Sequence, residues 1–208
     1  LDDIFEVQDE VSQKVAALVV PSMIINEQKS LSKKEIQVFS GWDEFLNALN
    51  SYENHTKAKT VEEKIKHIYK SIEHSEKSIA LEPNFTEPYN VLAGSLFFLM
   101  FESSVQNDRE KNEARYKEVS EKSISLDPNN PDALMNMAFL YRFSDDEMQY
   151  KECVNKAVEI NPHHARSLSA KGILYLTDSD YDNAIDSLYR AYEIDPSKVP
   201  LYETMRLS

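Results

Sequence analysis

Glycine and cysteine are almost missing from this 208-residue chain, which has three of the first (Gly41, Gly94, Gly172) and one of the second (Cys153). Isolated glycines build no phosphate-cradling loop and no dinucleotide-binding turn, and they leave little material for tight β-hairpins. A lone thiol forbids an internal disulfide and a zinc site of paired cysteines. It fits a reducing compartment without excluding an oxidising one. The compartment therefore stays open, with a cytoplasmic location fitting somewhat better than the periplasmic side of a membrane-anchored parent. Long hydrophobic runs are missing too. The longest, Val91 to Phe101, has 11 residues, against about 20 for a bilayer span, and Val15 to Ile25 is broken by Pro21. No direct membrane insertion by this segment is expected. Positive charge is scarce: 23 basic against 36 acidic residues give a net charge of −13. Phosphate backbones and anionic lipid would repel such a chain, so nucleic acid is not an expected partner. The start at Leu1, with no recognisable leader, reads as a piece of a longer protein.

Catalytic patterns are equally thin. There is no His-Glu-x-x-His and no Gly-x-Ser-x-Gly. His67 and His74 lie seven apart, and His163 and His164 follow a proline; both pairs read as surface or partly packed histidines rather than metal ligands. Cys153 reads as a small buried hydrophobe, and Asp145 and Asp146 as loop or cap residues. No cofactor and no enzymatic activity of this segment are expected.

What the chain does contain is proline punctuation with a period. Leu81-Glu82-Pro83, Leu126-Asp127-Pro128, Ile160-Asn161-Pro162 and Ile194-Asp195-Pro196 repeat one helix-ending signal, with steps of 45, 34 and 34 residues. Apolar residues recur at three-to-four spacing between these stops, as in Leu134, Met137, Ala138, Tyr141 and again Leu168, Gly172, Tyr175. A period of this length predicts a stacked array of helix pairs, not one closed core. A helix over Ile4, Val7, Val11, Val15 and Leu18 precedes the array, and Asn26 to Glu35 reads as a connection. Ser40, with Asp43 three residues on, is expected to cap a helix whose apolar face is Trp42, Phe45, Leu46 and Leu49. Asn54 to Thr60 reads as a turn. The divisions are 1–38 (helix and connector), 39–85, 86–130 with an insertion near 103–113, 131–164, 165–198, and 199–208 as the start of a capping helix.

Leu168, Gly172, Tyr175, Ala184, Leu188, Ala191 and Pro196 resemble the signature of the tetratricopeptide repeat. Lys171 departs from it, and so does Tyr150 in the repeat before. The resemblance covers roughly residues 39 to 196 and implies an all-α fold: antiparallel helix pairs stacked as a right-handed superhelix, with one extra N-terminal helix. A second resemblance rests on Asp2-Asp3-Ile4-Phe5 through Gln8-Asp9-Glu10 and on Trp42-Asp43-Glu44-Phe45. These are similar to the TolB-like and tetratricopeptide tail of bacterial signalling proteins, whose output domain is a class III adenylate or guanylate cyclase or a winged-helix transcriptional regulator.

The family resemblance implies a concave groove lined by the first helix of each pair. Carried onto this chain, the groove positions are Asn90, Phe97 and Phe98; Met135, Phe139, Arg142 and Phe143; and Arg166, Ser169, Ile173 and Leu176. Such a strip suits a protein or peptide partner, with an amphipathic helix or extended apolar segment as the docking element, or self-association of the chain. The clamp for a C-terminal carboxylate found in chaperone-binding members is not met, because Asn90, Gly94, Met135 and Phe139 occupy its positions. The expected function is a non-catalytic interaction module, with a scaffold that positions output domains as the alternative.

Overall fold

A computed structural model describes residues 33–102, 104 and 108–199, with side chains from Gly41 onward. The expected helix from Ile4 to Leu18 and the segment 201–208 lie outside the described residues. The chain divides into two units, Leu1–Ser40 and Gly41–Ser208. Within the first, the described residues 33–40 are helical backbone; all other described elements belong to the second.

Among the described residues there are eight α-helices and no strand: α1 (Lys33–Lys57), α2 (Val61–Leu81), α3 (Thr86–Phe101), α4 (Arg109–Leu126), α5 (Pro131–Phe143), α6 (Glu147–Ile160), α7 (Ala165–Thr177) and α8 (Tyr181–Ile194). A short 3-10 turn, Pro196–Lys198, follows. The punctuation read from the sequence has one physical form, repeated four times. Glu82, Asp127, Asn161 and Asp195 each take extended backbone, with φ of −136°, −138°, −133° and −150°, because the following proline ring disfavours helix at the residue before it. Their N–H groups still close the last turn, onto Ser78, Ser123, Ala157 and Ala191 respectively.

Helix starts are equally local. Asn130 accepts from the Asp132 and Ala133 amides while Pro131 opens α5, the position where a missing N–H does no harm. Asp146 and Asp180 do the same for Gln149 and Asn183. Asp145 and Ser179, 34 residues apart, turn the chain within each pair through positive φ, 55° and 60°. The long second repeat places its extra residues in three places. At 16 and 18 residues, α3 and α4 exceed α5 and α6 at 13 and 14, and the connection between them is longer as well.

Four expectations need correction. Ser40 does not cap a helix, because α1 runs unbroken from Lys33 to Lys57; nothing from Lys33 to Phe39 breaks a helix. The start of α1 also absorbs the end of the connection expected over 26–35. Gly41 sits inside it where α2 passes close, and an added Cβ would lie 3.3 Å from Glu82 Cβ. The turn expected over 54–60 shrinks to Ala58–Thr60, with Thr60 Oγ1 capping α2 by accepting from the Glu63 amide at 3.2 Å. Finally, Trp42 and Leu46 lie on the outer half of α1, and the buried face is Gly41, Phe45 and Ala48. Trp42 instead edges an aromatic corner with Phe45 and Phe85, at ring separations of 5.3 and 5.4 Å.

The seam between α1 and α2 is polar. Ser71 Oγ donates to the Ala48 carbonyl at 2.9 Å, and Ser78 Oγ to the Gly41 carbonyl at 2.6 Å. Seven residues forward in α2 correspond to seven back in α1, which pins an antiparallel register. Ser95 of α3 joins by donating to Ser71 Oγ at 3.1 Å. Ser75, buried between them, has no hydrogen-bond partner among the described residues. An unmet buried hydroxyl is unfavourable, whereas a made hydrogen bond contributes about 1 kcal/mol. Ser75→Ala is therefore expected to leave stability unchanged or raise it by about 1 kcal/mol, and Ser78→Ala to lower it by about as much. Urea midpoints of the two variants check this, and equal losses would contradict the seam.

Further along, the core turns apolar. Ile68, Leu92, Leu96, Leu99 and Tyr116 form one cluster, and Leu134, Met135, Ala138, Val154 and Ala157 the next. Across repeat boundaries, Lys156 Nζ donates to the Pro128 carbonyl at 2.9 Å and Arg190 Nη2 to the Pro162 carbonyl at 3.1 Å. The same strap is thus made twice, 34 residues apart.

Candidate functional site: the row of first helices

The first helices of successive pairs, α3, α5 and α7, touch one another in a row, α3 against α5 and α5 against α7. This row carries the residues singled out from the sequence, but it does not present all of them. Met135 is fully buried and Ser169 nearly so. Both are removed from the accessible strip: neighbouring first helices approach closely enough to close over these positions.

The aromatic residues do assemble. Phe97 packs on Phe139 and Phe101 at 4.9 Å and lies 6.4 Å from Phe143, while Phe101 and Phe143 are 5.9 Å apart. Phe101 and Phe143 remain 52% and 41% exposed. Phe98 points the other way along α3, edge-on to His55 of α1 at 5.1 Å. Burial holds the His55 imidazole below its ordinary pKa, against the hydrogen bond to the Tyr52 carbonyl.

The two arginines separate. Arg142 turns across the α5–α6 corner, its guanidinium 5.5 Å over the Tyr150 ring and within 3.4 Å of Tyr150 Oη. It lines a smaller cleft of about 340 Å³ with Ile173. Leu176, partly buried, packs against the core formed by Leu168 and Leu188. Arg166 alone stays with the aromatic strip, 5.2 Å over the Phe139 ring. It donates to Asn136 Oδ1 at 2.8 Å and stands 3.7 Å from Asp132.

A polar chain continues from there. Asn136 Nδ2 and Ser123 Oγ both donate to Asn90 Oδ1, at 3.3 and 2.7 Å, and Asn90 Nδ2 donates to Asn130 Oδ1 at 3.1 Å. Asn90 is thus a junction between pairs. Burial acts to raise the Asp132 pKa, but the His164 hydrogen bond and the Arg166 and His164 charges outweigh it and hold the carboxyl below its usual range.

Sequence reasoning missed Tyr52, His55, Phe101 and Asn136. Gly94 was the available signal for Tyr52, since an added Cβ there would lie 3.0 Å from the phenol oxygen. Phe101 was passed over because it ends the apolar run where the insertion begins. Among the described residues no group of three His, Cys, Asp or Glu side chains is placed to hold a metal ion, and no helix is long and apolar enough to cross a membrane.

Among the described residues these elements define an α-α solenoid. Residues 165–198 match the family model described as tetratricopeptide repeat. Among solved structures the chain is similar to TTC0263, a thermophilic tetratricopeptide protein of Thermus thermophilus, at 15% identity and a TM-score of 0.51, covering 70% of this chain and 76% of that one. It is also similar to MamA, at 20% identity and a TM-score of 0.42 over 81% of this chain and 97% of that one. YrrB, described as a tetratricopeptide protein with an unusual peptide-binding site, matches at 12% identity and a TM-score of 0.34 over 68% and 84%. A comparison with curated protein sequences found no match.

Proposed function

We propose that this chain is a non-catalytic interaction module that receives an apolar or amphipathic segment of a partner protein along the row α3, α5 and α7. The carrying observation is the pair Phe101 and Phe143, which remain half-exposed although the partly buried rings of Phe97 and Phe139 stand beside them. Exposed aromatic rings beside an arginine are the composition of binding hot spots, and Arg166 offers a guanidinium for a partner carboxylate. The resemblance of the Asp2-Ile4-Phe5 segment and the Trp42 helix to bacterial signalling tails supports placing the module beside a nucleotide cyclase or winged-helix output domain.

A second reading, self-association that positions output domains, is favoured by the outward stripe Tyr181, Ile185 and Tyr189 of α8, all exposed. Binding of the purified partner to the double variant Phe101→Ala/Phe143→Ala separates the two. A hot-spot loss of about 2 kcal/mol, roughly thirtyfold in Kd, is expected. Unchanged affinity sinks the groove reading, and a concentration-dependent dimer sensitive to Tyr189→Ala but not to the phenylalanines supports the scaffold.

A further inference from the structure

Helices α4 and α5 enclose a cleft of about 650 Å³ that borders that row at Phe143. One wall is the stripe Glu110, Glu113, Ala114, Lys117 and Glu121 of α4, and the other is apolar, with Met137, Leu140 and Phe143 of α5. The α4 spacings of three and four residues put these side chains on one helical face. From Glu110 to Glu121 that face extends about 16 Å at 1.5 Å per residue. The α5 wall, Met137 to Phe143, is shorter, about 9 Å at 1.5 Å per residue, and a trough between two such helix faces is a receiving surface for a third helix.

Charge decides what kind of helix. Lys117 stands 4.0 Å from Glu121, whereas Glu110 and Glu113 have no ion-pair partner among the described residues. The neighbouring cations of α4 are directed elsewhere: Arg115 pairs with Glu76 of α2, and Arg109 lies over the Phe101 ring. Tyr141, which also lines the cleft, has its hydroxyl pKa pushed up by burial first and then by Cys153, Asp146, Glu152 and Glu121. The trough is apolar below and negative at its rim.

We propose that the α4–α5 cleft docks a short amphipathic helix of a partner protein, leucine-like side chains filling the trough and lysines or arginines meeting Glu110 and Glu113. This surface shares Phe143 and α5 with the row of first helices but adds the α4 wall, so variants at Glu110, Glu113 and Ala114 of α4 test it apart from that row. The cleft owes its length to the longer α4, which gives the lengthened repeat a role that a regular one would not have.

A fluorescein-labelled synthetic helix of leucine and lysine, titrated by anisotropy against the full chain, tests it at about 0.15 M salt, where distant charges are screened. A leucine and glutamate helix is the matched probe of opposite sign. Binding of the basic helix is expected to weaken about tenfold in Ala114→Trp, which fills the trough, and in Glu110→Gln/Glu113→Gln, which removes charge without bulk. Asp182→Lys/Asp186→Lys on α8 changes net charge by more and is expected to leave affinity within about twofold. Circular dichroism melts establish that each variant is folded. Equal weakening by the α8 variant means diffuse attraction to an acidic protein and overturns the proposal. So does undiminished binding by either cleft variant, or equal affinity for the acidic helix.

Discussion

Tyr116→Ala is expected to lower the unfolding free energy by about 3–5 kcal/mol, the range for removing a large aromatic side chain from a core. Among the described residues Tyr116 is the largest fully buried side chain, and it sits where two helix pairs meet. Its Oη donates to the Asn136 carbonyl of α5 at 3.0 Å, its own carbonyl accepts from Ser120 Oγ at 2.7 Å, and Phe97 of α3 lies 6.0 Å away. Alanine would open a cavity touching α3, α4 and α5 together. Tyr116→Phe keeps the ring and gives up only the hydrogen bond, a loss of about 1 kcal/mol. Urea unfolding of the pair separates packing from polarity, and a Tyr116→Ala protein within about 1 kcal/mol of the parent would refute this account of the junction. In a stacked array such a break is also expected to split one transition into two, since each repeat contacts only its neighbours.

Gly172→Leu is expected to be comparably severe, for the opposite reason. A Cβ at this position would lie 2.6 Å from Leu188 Cγ, 2.9 Å from Cδ2 and 3.3 Å from the Ala184 carbonyl oxygen. Helices α7 and α8 thus approach as closely as a bare backbone permits, and Leu188 is buried with nowhere to retreat. Even alanine displaces it, though better helix propensity returns about 1 kcal/mol. Leucine adds an overpacking penalty of about 3 kcal/mol. The sharper measurement is a cycle with Leu188→Ala. That change alone is destabilising, but in its presence Gly172→Ala is expected to become neutral or favourable, which is direct coupling. Additive effects would mean that the contact is not what excludes a side chain at residue 172.

How far the sequence could be read follows from which forces are local. The four proline stops and the return of Leu134, Ala138 and Tyr141 as Leu168, Gly172 and Tyr175 depend on neighbours in the chain or one repeat away, so spacing revealed the array. Helix α1 was misread because Ser40 looks like a cap whenever the residues before it are ignored. The candidate strip was only partly legible. Phe97, Phe139 and Phe143 were placed by the family resemblance and do come together. Met135 and Ser169 occupy the same kind of position yet are covered, because coverage depends on how near the next first helix comes. Arg142 and Arg166 look equivalent along the chain. Tyr150, an uncommon residue at its repeat position, draws Arg142 aside, whereas the Phe139 ring and Asn136 hold Arg166. Nothing in the order of residues predicts that split.

The straps from Lys156 to Pro128 and from Arg190 to Pro162 both reach back over 28 residues. Each is closed by a side chain of one unit and a backbone oxygen of the last, and the oxygen asks nothing of the side chain that carries it. A tandem copy of one 34-residue unit, gained or lost at such a junction, meets an acceptor of the same chemistry in the same place. The regular half of this protein is thereby able to change length over generations without reinventing its joints, whereas the Pro83 carbonyl, ahead of the lengthened repeat, accepts from the nearby Tyr89 Oη instead.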